Sequence, residues 1–216
     1  MVHTTLIRVL TTTALVIAAG VATTAPAAAE PPANVVQADL DGDGADDRVS
    51  LLPGPDGGWE LRAELPSVVE SAWLPEDERI PEVGLRVSDV DADGAHEVVT
   101  PVSVGANTVA FQVFLHRPEL GLVPVSRRDG HPFFLYEGGA VAAVNGYECA
   151  TDHDGRMLVV VGATLEEGDG SRYEGHRSTY AVSGGIVTPV HHTPIQGVPA
   201  SDPVLATDPH TCAPAG

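Results

Sequence analysis

Short runs of alternating apolar and polar residues follow one another along most of the chain after residue 34, separated by Gly, Pro and Asp. A period of two places successive side chains on opposite faces, so these runs predict short, half-buried β-strands. No stretch keeps a helical period, although residues 67–73 would allow one helical turn. The predicted class is all-β, with strands at residues 48–52, 59–65, 85–88, 97–102, 108–116, 121–126, 141–144, 157–162, 177–182 and 186–190.

An acidic loop that leads into a hairpin occurs three times. The loops lie at residues 39–47, 89–97 and 151–156, and each is followed by a Val- or Leu-rich run, a turn and a second run. Such self-similarity predicts a repeat architecture. We therefore expect one all-β domain at residues 30–216, with repeat units near residues 35–84, 85–145 and 146–212.

The first two acidic loops have the composition of calcium sites. Calcium takes about six to eight oxygen ligands, and a short loop supplies them when carboxylates alternate on a tightly turning backbone. Gly44 and Gly94 follow the third carboxylate of each loop, where a positive φ lets the chain fold around an ion. We expect two Ca²⁺ ions. The predicted ligands are Asp39, Asp41, Asp43, the Ala45 carbonyl and Asp47 in the first loop, and Asp89, Asp91, Asp93, the Ala95 carbonyl and Glu97 in the second.

Two alternative structures would also account for acidic, Gly-containing loops. Asp and Gly also favour ordinary turns, but two loops that share one five-position register and each enter a Val-rich strand favour metal binding. An EF-hand requires a Glu at the twelfth position, where Ser50 and Thr100 stand. The third loop keeps Asp152 and Asp154 but lacks the first and last carboxylates, so we expect a turn without metal there.

The pattern D-x-D-x-D-G-x-x-D before an apolar strand resembles the calcium loops of FG-GAP repeats, known from integrin α-subunit propellers and bacterial VCBS-type secreted proteins. The Gly-rich segments at residues 136–141 and 160–163 are similar to the FG and GAP segments of that family, although the Phe-Gly pair is absent. The resemblance implies about three propeller-like β-blades, arranged as an open or incomplete β-propeller.

The N-terminus has the features of a secretory signal peptide. Arg8 precedes an apolar run at residues 9–22, and Ala27-Ala28-Ala29 precede Glu30 as a small-residue cleavage site. The run is shorter than the roughly 20 residues of a membrane span, and no second run follows. We therefore expect cleavage after residue 29, secretion, and no membrane insertion.

Charge and cysteine content add two constraints. The net charge is −19, or −20 once Arg8 is removed with the leader, which argues against nucleic acid as a partner because such binding requires clustered Lys and Arg. In an oxidising compartment the two cysteines, Cys149 and Cys212, predict one disulfide. It would tie the entrance of the last unit to the tail.

Three classes of function are compatible with this sequence. The first is a calcium-stabilised extracellular module that binds protein or carbohydrate through loops at one face of the blades. The second is a small secreted hydrolase or lyase, which would need a His beside a carboxylate at the bottom of a cleft. The third is a structural partner that completes another secreted protein through an open sheet edge.

Nothing in the sequence assigns a catalytic residue. A nucleophile elbow, an H-E-x-x-H zinc motif and a P-loop are all absent from the sequence. If the adjacent His191 and His192 lie on a strand, they point to opposite faces and cannot easily chelate one ion together. Five aromatic residues could form a sugar-stacking or protein-contact surface: Trp59, Trp73, Phe133, Phe134 and Tyr136. Of these, Trp59 is expected in the core, and only one of Phe133 and Phe134 can face inward.

Overall fold

The computed structural model describes residues 34–153, 155–168 and 170–215. Within these ranges the chain forms 14 β-strands, one short α-helix and two 3-10 helices, which confirms the predicted all-β class. The predicted leader at residues 1–29 lies outside the described residues. Among the described residues, no helix has both the length and the apolar character needed to cross a membrane.

The first sheet is a four-stranded antiparallel meander. On β2, Val49 and Leu51 belong to the first core and Arg48 is exposed, while Ser50 on the opposite face from Val49 is buried as well. The strands are β1 (Val35–Ala38), β2 (Asp47–Pro53), β3 (Trp59–Glu64) and β4 (Val69–Leu74).

The next four strands repeat the arrangement of the first four. β5 pairs with β6, β6 with β7 and β7 with β8, all antiparallel. The connections are also alike, because Ala38 pairs with Asp47 across the first acidic loop and Ser88 pairs with Glu97 across the second. The strands are β5 (Arg86–Ser88), β6 (Glu97–Val104), β7 (Thr108–Arg117) and β8 (Gly121–Pro124), with α1 (Ile80–Val83) just before them.

The remaining strands extend this second arrangement into a ten-stranded sheet. Its order is β5-β6-β7-β10-β11-β12-β13-β14-β9, and β8 pairs with β7 off this path. Only the pairing of β14 with β9 is parallel among the described strands. The strands are β9 (Ser126–Arg127), β10 (Phe134–Gly138), β11 (Ala143–Asp152), β12 (Gly155–Leu165), β13 (Arg172–Ser183) and β14 (Ile186–Pro199). Two 3-10 helices follow at Pro203–Leu205 and Pro209–Cys212.

The expected three separate blades are not seen. The described residues form two sheets, neither of them closed, and the strands of the third expected unit belong to the same sheet as those of the second. Asp152 pairs with Gly155, so β11 and β12 are joined by a tight turn in place of an acidic loop. The side chains of Asp152 and Asp154 lie outside the described part of the chain.

Strands β6 and β7 separate two apolar cores. Val98 of β6 and Phe114 of β7 pack on one side, with buried residues of the first sheet such as Leu61. Their neighbours Val99 and Val113 pack on the other side, in a second core that also contains both cysteines. A third, smaller core lies around β12–β14 and the first 3-10 helix, and it comprises Val161, Ala163, Tyr173, Ile195 and Leu205.

Candidate metal centres

Two acidic loops connect the first and second strands of the two equivalent four-strand groups. We call residues 39–47 loop A and residues 89–97 loop B. Gly44 and Gly94 both take positive φ values, of 88° and 95°, as the sequence predicted. The fourth position of each loop is also left-handed, with φ of 72° at Gly42 and 55° at Ala92. The two loops therefore share one backbone conformation.

The carboxylate at the ninth position has the same role in both loops. The Leu40 N–H donates to an Asp47 carboxylate oxygen at 3.0 Å, and the Val90 N–H donates to a Glu97 carboxylate oxygen at 2.7 Å. Both carboxylates are buried, with 4% and 3% of the residue exposed. Each loop is thus closed at its base by a hydrogen bond that spans seven residues.

The aspartate at the fifth position makes the same hydrogen bond in both loops. Asp43 accepts a hydrogen bond from the Ala45 N–H at 2.8 Å, and Asp93 accepts one from the Ala95 N–H at 2.9 Å. These short-range bonds are Asx turns, which fix the direction of the chain after each glycine.

Three carboxylates in each loop converge closely enough to hold one metal ion. Their oxygen atoms lie within 4.8 Å of one another, in the groups Asp39, Asp41 and Asp43 of loop A and Asp89, Asp91 and Glu97 of loop B. Of the predicted carboxylate ligands, Asp47 and Asp93 lie outside these two groups, although both belong to the loops.

Loop A is open to solvent, and its own backbone N–H groups donate hydrogen bonds to one of its carboxylates. Asp41 and Asp43 are exposed. The carboxylate of Asp39 accepts hydrogen bonds from the Asp43 N–H at 3.0 Å and from the Gly44 N–H at 2.9 Å. Its oxygens can therefore stay in place without an ion.

The base of loop B is buried, although residues 92–94 at its tip are exposed. Asp89 is 8% exposed, and one buried carboxylate oxygen each of Asp89 and Asp91 has no hydrogen-bond partner. An unpaired buried acceptor costs about 1–3 kcal/mol, and more when it is charged. Arg156 offsets part of this charge, because its guanidinium lies 3.8 Å from the other Asp89 oxygen. A hard cation bound by oxygen ligands fits the two unpaired atoms.

Burial raises the pKa of the Glu97 carboxyl to about 8, and the nearby charge of Asp91 adds to this effect against the opposing Val90 N–H. Burial is also the main cause of the raised pKa values of Asp91 and Asp47. In both cases the neighbouring loop carboxylates contribute in the same direction. The ionised form of each group is therefore poorly stabilised by the protein alone, and a cation in the loop would reverse the shift.

The two loops are hydrogen-bonded to each other. The Asp39 N–H donates to Nδ1 of His96 at 3.0 Å, and the His96 N–H donates to the Asp39 carbonyl at 2.7 Å. The first residue of loop A is therefore held by the eighth residue of loop B. Sequence reasoning did not assign His96 a role, because its partner is 57 residues away and only the fold brings them together.

The C-terminal segment holds the start of loop B. The Asp89 N–H donates to the Cys212 carbonyl at 2.9 Å, and Arg156 donates to the Asp89 carbonyl at 2.7 Å. The same guanidinium also donates to the carbonyls of Thr211 and Ala213. The predicted disulfide between Cys149 and Cys212 is confirmed, and it anchors this segment to β11. Arg156 carried no signal in the sequence that linked it to loop B.

The histidines of the described residues lie in separate places, and one of them, His176, lines a pocket of about 310 Å³ together with Glu174. His116 has its Nε2 3.5 Å from a Glu70 carboxylate oxygen, but this pair is buried where β4 of the first sheet faces β7 and β8. His192 contacts Ser178 through Nδ1 at 2.8 Å and stacks on His176, on the surface of the β13–β14 hairpin. His191 is the neighbouring residue on the same strand and pairs with Thr179.

The aromatic residues are distributed over separate surfaces. Trp59 packs against the first core and donates its indole N–H to the Asp77 carbonyl at 3.0 Å. Phe133 is buried, whereas Phe134 is 38% exposed. Trp73 and Tyr136 are exposed on β4 and β10. They do not form one continuous stacking platform, since β4 and β10 belong to different sheets.

Fold and site together define the molecule as an all-β protein with two equivalent acidic loops that can each hold a metal ion. No protein-family model, curated protein or solved structure matches the chain.

Proposed function

We propose that this chain is a secreted, calcium-binding β-repeat protein of the FG-GAP type, and that it acts as an extracellular module that binds protein or carbohydrate. The observation that carries the proposal is the pair of buried, unpartnered carboxylate oxygens of Asp89 and Asp91 beside Glu97. Three acidic groups packed this closely repel one another unless a cation or a proton neutralises part of their charge.

The chemistry of the loops favours calcium over other metals. Every ligand in the two groups is a carboxylate oxygen, whereas zinc sites use Cys and His. Nδ1 of His96, the histidine beside loop A, already accepts the Asp39 N–H. Mg²⁺ prefers a rigid octahedral shell with several waters, which suits a nine-residue loop of converging acids less well than Ca²⁺.

The architecture and the cysteines support the remainder of the proposal. The strand order β1-β2-β3-β4 and its repetition in β5–β8, each with an acidic loop after the first strand, are what two FG-GAP-type blades would show. A disulfide is typical of proteins from oxidising compartments, in agreement with the predicted leader.

Calorimetric titration with calcium tests the proposal directly. We expect two saturable sites in the secreted protein. If the dissociation constants lie near the ~0.1 mM of extracellular modules, ~1 mM free calcium stabilises the fold by about 1.4 kcal/mol per site. Chelation should lower the melting temperature by several degrees, and calcium should restore it where sodium at equal ionic strength does not.

Variants separate specific sites from general acidity. Asp43→Ala should remove the loop A site and Asp91→Asn the loop B site. Asp91→Asn should also leave the chelated protein at least as stable as wild type, because it removes a poorly compensated charge. Asp46→Asn is the matched control, since Asp46 is exposed in loop A outside the converging group and should leave two sites. Zero saturable sites, or unchanged binding in the Asp43→Ala, Asp91→Asn double variant, would refute the calcium assignment.

A further inference from the structure

A cavity of about 580 Å³ opens on the second sheet, on a different part of the molecule from loops A and B. It lies where the turn after β9 meets the paired ends of β13 and β14. Its wall includes Arg127, Arg128, Asp129, Phe133, Tyr180 and Thr188. Nothing in the proposed calcium chemistry uses these residues.

Two adjacent arginines of this cavity lack the partners that all other described arginines have. Arg127 and Arg128 form no side-chain hydrogen bond or ion pair with any described residue, and Arg127 makes only a cation–π contact. The other described arginines all reach a carboxylate or a carbonyl, namely Arg48, Arg62, Arg79, Arg86, Arg117, Arg156, Arg172 and Arg177. In a chain with 30 acidic and 11 basic residues, two neighbouring unpaired cations at a cavity point to an anionic ligand.

The turn that carries the arginines is well fixed by backbone hydrogen bonds. The Gly130 N–H donates to the Arg127 carbonyl at 2.9 Å, and the Arg127 N–H donates to the His131 carbonyl at 2.8 Å. Asp129 accepts the His131 N–H at 3.1 Å through one carboxylate oxygen. Gly130 takes a φ of 84°, which suits glycine in such a turn. Arg128 and Asp129 therefore stand at the tip of a rigid turn.

The opposite side of the cavity is aromatic. Phe133 and Tyr180 meet edge to face with ring centroids 4.9 Å apart, and the Arg127 guanidinium lies 5.9 Å from the Phe133 ring centroid. Phe133 is buried, so its position is set by the second core, and Tyr180 is only partly buried. A flat or apolar ligand face can pack here, while the hydroxyl of Thr188 supplies a polar group nearby.

We propose that this cavity binds an acidic saccharide, meaning a sugar ring that carries a carboxylate. Arg127 and Arg128 would pair with the carboxylate, Tyr180 would contact a C–H face of the ring, and the free oxygen of Asp129 and the Thr188 hydroxyl would bind sugar hydroxyls. The inference rests on the proposed function, since it names the ligand class of that extracellular module.

Asp129 decides between a sugar acid and an apolar carboxylate. A ligand that offers only a carboxylate and an apolar body would be repelled by Asp129, which stands beside the arginines. A ligand that also offers hydroxyl donors uses the same Asp129 oxygens as acceptors. The mixed set of two cations, one carboxylate, one hydroxyl and an aromatic wall therefore favours a sugar acid.

The test is a titration of the full secreted chain, saturated with calcium, with an α-1,4-linked galacturonate dimer. The neutral galactose dimer and benzoate serve as the other two probes. We expect saturable binding of the acidic dimer, and binding at least tenfold weaker for both the neutral dimer and benzoate. Arg128→Gln should weaken the acidic dimer about tenfold, and Arg48→Gln, which changes the net charge equally at an exposed site, should not.

Asp129→Asn provides the second variant. Loss of affinity for the acidic dimer would support the hydroxyl contact, whereas a gain in affinity would show that Asp129 only repels and would overturn the sugar assignment. Equal binding of the neutral dimer, tighter binding of benzoate, or no saturable binding of the acidic dimer would also overturn it.

The calcium titration keeps the two claims separate. Arg128→Gln should weaken saccharide binding and retain both calcium sites. A wild-type protein with two intact calcium sites and no saturable saccharide binding would refute this inference alone. A wild-type protein without saturable calcium sites would refute the calcium assignment, whatever the saccharide titration showed.

Discussion

The ninth position of each loop shows how a single residue sets the character of a site. Asp47 and Glu97 both close their loop by accepting a backbone N–H, and both are buried. In loop B the carboxylate joins the converging group, and in loop A it does not. The longer glutamate side chain can accept the Val90 N–H and still reach Asp91.

The ionisation of Glu97 gives a prediction about pH. With metal removed by chelator, the folded protein holds a proton on Glu97 up to about pH 8, whereas the unfolded chain releases it near pH 4.5. The contribution of this group to the free energy of unfolding is therefore greatest below about pH 4.5 and is lost as the pH rises to about 8. The loss has a slope of at most about 1.4 kcal/mol per pH unit. Denaturant titrations between pH 5 and 8 measure it.

Glu97→Gln keeps an acceptor for the Val90 N–H but cannot ionise, so it should flatten that slope. Glu119→Gln, at an exposed position, should leave the slope unchanged. An equal slope in wild type and Glu97→Gln would contradict the assignment of the effect to this carboxyl.

The sequence predicted which residues form the two acidic loops but only some of the contacts that these residues make. Carboxylate spacing and the position of Gly44 and Gly94 are local properties, so the two loops could be found from the pattern. The contacts of His96 and Arg156 depend on residues more than 50 positions away and have no local signal.

Strand β4 is an element that the periodicity of apolar residues did not predict. The sequence pattern at residues 67–73 is compatible with one helical turn, but the structure has strand β4 at Val69–Leu74, with side-chain exposure alternating along it. The register with β3 decides this segment, because each of its residues pairs across the sheet. Tertiary pairing overrides the weak helical pattern.

Asp77 connects the first sheet to β6 through hydrogen bonds. Its carboxylate accepts the Val104 N–H at 2.7 Å and the Arg79 N–H at 3.1 Å, and its carbonyl accepts the Trp59 indole N–H. The Val104 and Arg79 amides hold the pKa of the Asp77 carboxyl below its usual value. Asp77→Ala should lower the free energy of unfolding by about 1–3 kcal/mol, because it leaves the Val104 N–H unpaired.

Chemical denaturation at pH 7 measures the effect of Asp77→Ala, with Asp56→Ala in an exposed turn as the control. The contribution of Asp77 is present above the pKa of the unfolded side chain and is lost as the pH falls through its lower folded value. The difference between wild type and Asp77→Ala should therefore shrink in acid. A difference that stays below about 0.5 kcal/mol at pH 7 would contradict this role.

For the molecule as a whole, class and disulfide were predictable and topology was not. The alternation of apolar and polar residues predicted the all-β class, and the presence of two cysteines predicted the disulfide. The pairing of β10 with β11 continues one sheet from the second unit into the third, and no feature of either segment's sequence indicates this pairing. The third acidic segment was therefore expected to open a separate unit, whereas the structure has a hairpin there.

The disulfide should be a major contributor to global stability. Cys149 and Cys212 are separated by 63 positions, and closing a loop of that length contributes about 4 kcal/mol in the chain-entropy model. The double variant Cys149→Ser, Cys212→Ser should lower the free energy of unfolding by about that amount, as measured by urea denaturation. A loss below about 1 kcal/mol would show that the tail is held mainly by its hydrogen bonds to Arg156, Asp89 and Cys149.

Under the proposed function, the hydrogen bond between the Asp89 N–H and the Cys212 carbonyl would couple the disulfide to calcium in loop B. If the closed bridge tightens calcium at Asp89 by some factor, calcium must resist opening of the bridge by the same factor, because binding free energies are linked in both directions. Under the proposed function, the secreted protein would thus be most resistant to thiol reductants where calcium is plentiful. In calcium-poor surroundings the same tail becomes the place where reduction and unfolding begin together.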